Sequence, residues 1–188
     1  PDGKPVYDVI GIQSHQHSGA WSVEKTWEVC ERFARFGKPL HFTEVTFLSG
    51  EPGWELRKKT PDFDWRSTPE GESRQAQEVA RFYTVLFSHP AVEAITWWDF
   101  SDQGAWQGAP AGLLRDDMSP KPAYEVLKKL IKDQWWTRAE VALHAGATAQ
   151  FRGFFGDYRV TFVRDGREMT GTFAFDRATR GPVEVRLR

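Results

Sequence analysis

The sequence predicts an α/β fold: successive βαβ units on a parallel sheet, followed by a small antiparallel β unit. Two observations carry this. Three short apolar runs at 6–12, 39–44 and 92–100 alternate with three segments of helical period, and each run opens into a polar or aromatic stretch. From Arg138 onward the period changes to two, and Asp165-Gly166 stands between alternating runs as a hairpin signal. Three strands alone leave unpaired edges and a half-covered core, so the expected architecture is incomplete.

The elements follow in order. Val6 to Ile12 is apolar but for Asp8 and reads as a buried strand leading into Gln13-Ser14-His15-Gln16-His17 and the turn residues Ser18-Gly19. Ser22 is placed to cap a helix whose apolar stripe is Val23, Trp27, Cys30 and Ala34, stopped by Gly37 and Pro39. Cys30 on that stripe reads as a buried structural thiol. Leu40-His41-Phe42-Thr43-Glu44 is the second strand, with Glu44 expected at its carboxyl end, where parallel α/β folds place reacting groups.

Roughly two dozen residues without periodicity come next, and a loop that long is either functional or disordered. It carries Trp54, Phe63 and Trp65 among Glu51, Arg57, Lys58 and Asp62. Thr68-Pro69-Glu70 opens the second helix, with Ala76, Val79, Tyr83 and Leu86 on one face and Pro90 as its stop. Val92 to Phe100 is the third strand, and a loop over 101–120 containing Trp106 follows. Pro122 starts a third helix with Val126, Leu127, Leu130 and Ile131 on one face. The expected division is 1–134 for the α/β part and 135–188 for the antiparallel unit. In the latter, Gly156-Asp157 and Asp165-Gly166 separate alternating runs.

Composition narrows the function classes. The 188 residues carry a net charge of −1, and no basic run tracks nucleic acid. No apolar stretch approaches the ~18 residues of a membrane span. One cysteine excludes an internal disulfide. Nine tryptophans are well above ordinary usage, and indole rings are enriched where flat apolar ligands bind. The chain begins with Pro1 rather than Met, so an upstream part is expected.

Three strand ends supply Gln13, His15 and His17, then Glu44, then Trp98, Asp99 and Asp102, which a parallel sheet or barrel brings to one face. A carboxylate beside imidazole, amide and indole groups has the ingredients of a carbohydrate site. The rings offer an apolar platform, the polar groups bind hydroxyls, and the carboxylate attacks or stabilises an anomeric centre. Two other readings of the same residues stand beside it. His15 and His17, with His41 and Asp99, suggest a Zn²⁺-dependent barrel hydrolase. A non-catalytic carbohydrate-binding protein would use the aromatic cleft alone. Phe154, Phe155 and Tyr158 of the terminal unit could also bind sugar, or that unit could be a structural cap.

Gly-Ile-Gln-Ser-His at 11–15, Thr-Glu at 43–44, Val-Glu-Ala-Ile-Thr-Trp-Trp at 92–98, Ser-Asp at 101–102, Trp106, Leu113-Leu114 and Pro-Lys-Pro-Ala-Tyr at 120–124 occur in one order. That succession resembles the second half of a glycoside hydrolase family 10 catalytic domain, the endo-β-1,4-xylanase family, over roughly residues 5–132. The resemblance implies the C-terminal part of a TIM (β/α)8 barrel, about strands six to eight. It implies a retaining enzyme acting on β-1,4-linked polysaccharide, with Glu44 as nucleophile and His15 hydrogen-bonded near it and helping to hold it ionised. Gln13 would contact sugar hydroxyls, and Trp98 and Trp106 would line a subsite.

The same resemblance implies no metal and no cofactor. The implied partner is a polysaccharide or oligosaccharide, with no nucleic acid and no membrane; the protein would be a monomer, secreted or periplasmic. The family's acid/base follows an asparagine on the fourth strand, and this chain contains no asparagine, so that carboxylate is expected upstream. Two departures stand out. Val45-Thr46 occupies a place where Leu-Asp is common, and Asp99 stands where a glycine is usual.

Overall fold

The computed structural model describes residues 3, 6–51, 53–60, 63–144, 146 and 148–188; the side chains of Trp54 and Arg57, and all of Asp62, lie outside what it describes. The chain divides into two compact units, one ending at Leu130 and one starting at Ile131.

The first unit runs β1 (Ile10–Gln16), α1 (Val23–Ala34), β2 (Leu40–Phe47), α2 (Trp54–Lys59), α3 (Pro69–Ser88), β3 (Val92–Trp97) and α4 (Pro122–Lys129). Its three strands are parallel in the order β1-β2-β3, as the βαβ succession requires. Ser22 caps α1 by accepting the Lys25 N–H at 3.1 Å, and Thr68 caps α3 by accepting the Gly71 N–H at 3.0 Å. Each hydroxyl satisfies one of the helix's orphan donors.

The core lies between the sheet and α3. Leu40, Phe42, Val45, Val79 and Leu86 are completely buried. Phe82 meets Phe42 and Phe47 edge-on at 5.8 and 5.3 Å between ring centres. Each such side chain contributes roughly 1.5–3 kcal/mol through burial. Cys30 is buried as expected, and burial pushes its thiol up to about 11, so it is protonated and inert at neutral pH.

Strand boundaries differ from the sequence reading in an informative way. β1 begins at Ile10 rather than Val6, because Ile10 is the residue that pairs with Leu40, while Val6 is 98% exposed. It continues through the polar run to Gln16, with Ile12, Ser14 and Gln16 buried and Gln13 and His15 on the other face. β2 passes Glu44 and ends at Phe47, so Glu44 lies inside the strand rather than at its end. β3 stops at Trp97 instead of Phe100. The long loop after β2 contains the short helix α2, which its lack of periodicity concealed.

Among its described residues the second unit contains one hairpin, β4 (Gly156–Arg164) against β5 (Arg167–Phe175). Asp165 and Gly166 form its two-residue turn at φ 52° and 73°, the left-handed pair that matches strand twist. Gly156-Asp157 opens β4 and pairs with Phe175 and Ala174 instead of turning. Tyr158 stacks on Phe173 at 5.1 Å, and Thr170 and Arg188 exchange backbone hydrogen bonds of 2.9 and 3.0 Å.

Candidate active site

The site is set by one extra residue. Ile12 pairs with Phe42, but Gln13 pairs with Glu44, so β2 carries a bulge at Thr43. Side chains alternate along a strand. Without the bulge Glu44 would share the face of Leu40 and Phe42 and be driven into the α3 core. With it, Val45 and Phe47 resume the buried face, and Glu44 and Thr46 turn toward Gln13 and His15. Bulges are rare in parallel pairs and recur beside active sites, where they re-aim a side chain.

Glu44 is gripped on both oxygens. Gln13 Nε2 donates to Oε1 at 2.9 Å and His15 Nε2 donates to Oε2 at 2.8 Å. The Glu44 and His15 side chains retain 20% and 19% of their accessible surface, so the carboxylate is held yet reachable. The His15 Nδ1 lies 3.2 Å from the Thr46 hydroxyl, within hydrogen-bond reach. Each carboxylate oxygen keeps a lone pair for a reacting centre.

Aromatic rings close around His15. Trp98 meets it edge-on at 5.9 Å, and Trp106 lies over it at 5.1 Å with 30° between planes. Trp106 also overlies His17 at 5.6 Å, and His17 meets Trp65 edge-on at 6.1 Å. Trp98 and Trp106 remain 47% and 42% exposed, as a stacking platform needs. His17 is held at about 4, first by burial and second by the charge of His15, so it is neutral across the physiological range.

Behind the rings a buried polar cluster anchors the loops. Lys121 Nζ, with no exposed surface, donates to Ser49 Oγ at 2.8 Å and to Asp102 at 2.7 Å. Asp102 also accepts the Gly112 N–H at 2.8 Å, and Ser49 donates to the Pro110 carbonyl. Burial pushes the Asp102 carboxyl up and the Lys121 ammonium down, with their mutual attraction opposing both shifts. A cavity of about 760 Å³ lies beside this cluster, lined by Trp65, Arg66, Glu72, Asp102 and Arg115 among others. Glu44 and His15 are not among its walls, because they stand on the open face of a three-stranded sheet.

The five residues Gln13, His15, Glu44, Trp98 and Trp106 thus stand together, Gln13 on Glu44 and the other three on the His15 imidazole. The histidine set does not gather in the same way: His41 pairs with Glu93 at 3.6 Å. Among the described residues no group of three or more His, Cys, Asp or Glu side chains stands at metal-binding distance. Sequence reasoning noted Thr46 only as a departure and gave it no place beside His15, since only the bulge reveals its register. It also gave no role to Lys121, which it met only within the Pro-Lys-Pro-Ala-Tyr motif at 120–124.

The sequence pattern described as Glycosyl hydrolase family 10 matches residues 2–130. Anti-sigma-I factor RsgI6 of Acetivibrio thermocellus is 32% identical over 161 residues, covering 85% of this chain and 18% of that protein. Endo-1,4-beta-xylanase B of Thermotoga neapolitana is 28% identical over 141 residues, covering 70% of this chain and 36% of the xylanase. The chain therefore spans about a third or less of the length of these relatives. Among solved structures, xylanase 10B from Thermotoga petrophila in complex with xylobiose superposes with a TM-score of 0.52 at 23% identity, over 68% of this chain and 37% of that one. A termite-gut xylanase of the same family, containing a bacterial Ig-like domain, gives 0.56 at 21% identity, over 67% and 29%. These likenesses show the fold: part of a (β/α)8 barrel, with a small antiparallel sheet beyond the matched region.

Proposed function

Because the chain belongs to glycosyl hydrolase family 10, we propose that it carries the nucleophile side of a retaining glycoside hydrolase acting on β-1,4-linked xylan. The observation that carries this reading is the two-point grip on Glu44 by Gln13 and His15 at 2.9 and 2.8 Å. In the proposed reaction a Glu44 oxygen attacks the anomeric carbon as the bond to the leaving oxygen breaks, forming a glycosyl ester. Water then displaces Glu44 and the sugar is released with retained configuration. Gln13 and His15 keep the carboxylate in one rotamer, so its orientation is fixed before substrate arrives. Trp98 and Trp106 supply apolar surface for a sugar ring beside it.

The leaving oxygen needs a proton from a second carboxylate about 5–5.5 Å from the nucleophile. We assign that group to barrel strands other than β1–β3, so the reaction belongs to the protein with its barrel complete. Polymeric substrate also fits a secreted or periplasmic setting. The test is hydrolysis of xylo-oligosaccharides by the intact protein and by its Glu44→Ala variant. Wild-type turnover by the variant contradicts the assignment. A second reading, carbohydrate recognition without cleavage, is favoured by the similarity to an anti-sigma factor. It predicts an intact wild-type protein that binds xylo-oligosaccharides and leaves them uncut.

A further inference from the structure

His17 stands one residue beyond β1, in step with Gln13 and His15, yet it is only 5% exposed. Two indoles from different loops meet its ring. Trp65, from the loop after β2, lies edge-on at 6.1 Å, and Trp106, from the loop after β3, lies over it at 5.6 Å with 32° between planes. His15 approaches Trp106 in nearly the same way, at 5.1 Å and 30°. The two imidazoles, inclined to each other by 56°, therefore share one indole.

The two indoles are held very differently. Trp65 is buried among Leu48, Ala109 and Ala111, and its Nε1 donates to the Glu51 carbonyl at 2.8 Å. Trp106 is 42% exposed. Its backbone is set by the Asp99 Oδ1, which accepts the Trp106 N–H at 2.9 Å, and by the left-handed turn at Gln107, with φ 62°. Those contacts fix the main chain and leave the side-chain torsions open, so the direction of the ring depends on what it packs against. We propose that His17 is a positioning residue that holds the Trp106 indole in one orientation, passing the rigidity of the buried Trp65 cluster to an exposed ring. An indole fixed beforehand loses no rotamer freedom when a ligand stacks on it. His17 is neutral in the physiological range, so what it supplies is the packing of an uncharged ring rather than an ion–ring attraction.

The functional consequence rests on the reading of Trp106 as a sugar platform, and the first test needs no substrate. In the intact protein labelled with ¹⁵N-tryptophan, the Trp106 indole N–H is identified by its loss in Trp106→Phe. In the wild type its order parameter should match rigid backbone, about 0.85, and a value below about 0.6 overturns the inference before any other variant is made. His17→Ala should bring the indole down toward that lower value while the Trp106 backbone N–H, held by Asp99, keeps its order. His17→Phe returns a flat ring and should restore the indole. An indole that stays ordered in His17→Ala overturns the inference. So does loss of order in indole and backbone together, which would make His17 a general prop of the loop. The second test is kinetic. With xylo-oligosaccharides His17→Ala should raise KM about fivefold at nearly constant kcat, and His17→Phe should return KM to within about twofold of the wild type. A fall in kcat at constant KM, or no change in either, means that the orientation of the indole serves no substrate and overturns the proposal. If the wild type neither binds nor cleaves xylo-oligosaccharides, the platform reading of Trp106 fails instead, and the order of the indole still decides the role of His17.

Discussion

Two carboxylates, Glu44 inside β2 and Asp102 in the loop beyond β3, sit in opposite circumstances. Glu44 is one-fifth exposed and is held by a neutral amide and an imidazole, with a lone pair left on each oxygen. Asp102 is 9% exposed, locked to a fully buried ammonium and to a backbone N–H. In the proposed reading the first is kept for reaction, while the second is spent on structure. The difference separates candidates: unused lone pairs and a route to solvent support the proposed role of Glu44, whereas full engagement argues against a reacting role for Asp102. It also separates failures: damage at Glu44 should remove chemistry and leave the fold, while damage at Asp102 or Lys121 should act first on stability.

The largest expected effect is at Glu44. Glu44→Gln in the intact protein should lower kcat by on the order of 10⁴-fold, with oligosaccharide binding and melting temperature nearly unchanged. Loss of binding equal to the loss of turnover would make Glu44 a binding group. Next is Lys121→Met, which leaves Asp102 buried without its cation and should cost about 3–5 kcal/mol in urea unfolding. Lys121→Met with Asp102→Asn should recover most of that, because the amide still accepts the Gly112 N–H and carries no charge. Failure of the double variant to recover would mean that the ion pair itself, rather than its rupture, sets stability.

A pH experiment sharpens the contrast with a third acid. Burial pushes Glu72 up, but hydrogen bonds from Arg115 and Ser67 and the nearby positive charges outweigh it and hold the carboxyl below its ordinary 4.5. A depressed folded-state value contributes stability that is present above the unfolded value and is lost as pH falls through the folded one. Melting temperature should therefore drop as pH goes below 4.5, and Glu72→Gln should flatten that drop. The smallest effect is at the start of α1, where Ser22→Ala should cost about 1 kcal/mol by orphaning the Lys25 N–H, with no change in activity.

Much of this was legible in the sequence, and for physical reasons. Helix caps at Ser22 and Thr68 are local signals, and the βαβ succession follows from apolar period and turn residues. Gln13, His15, Glu44 and Trp98 lie near strand ends that a parallel topology brings together, but it was the resemblance to the family that singled them out and added Trp106 from the following loop. The bulge at Thr43 was not legible, since register depends on the partner strand; strict alternation would have placed Glu44 on the core face with Phe42. The start of β1 failed for the same reason, Val6 having no strand partner among the described residues while polar Gln16 had Phe47. Lys121 was hidden by its charge: nothing in Pro-Lys-Pro says that the ammonium is fully buried until Ser49 and Asp102 are seen around it.

The central claim is that Glu44 becomes bonded to the sugar during turnover. The direct measurement is to incubate the intact protein with a 2-deoxy-2-fluoro xylobioside bearing an activated leaving group, then map the labelled peptide by mass spectrometry. The account predicts one fluoroglycosyl adduct per chain, on Glu44, with activity lost in step with labelling. An adduct on another carboxylate, or continued hydrolysis of xylan with no adduct under saturating inactivator, would contradict it.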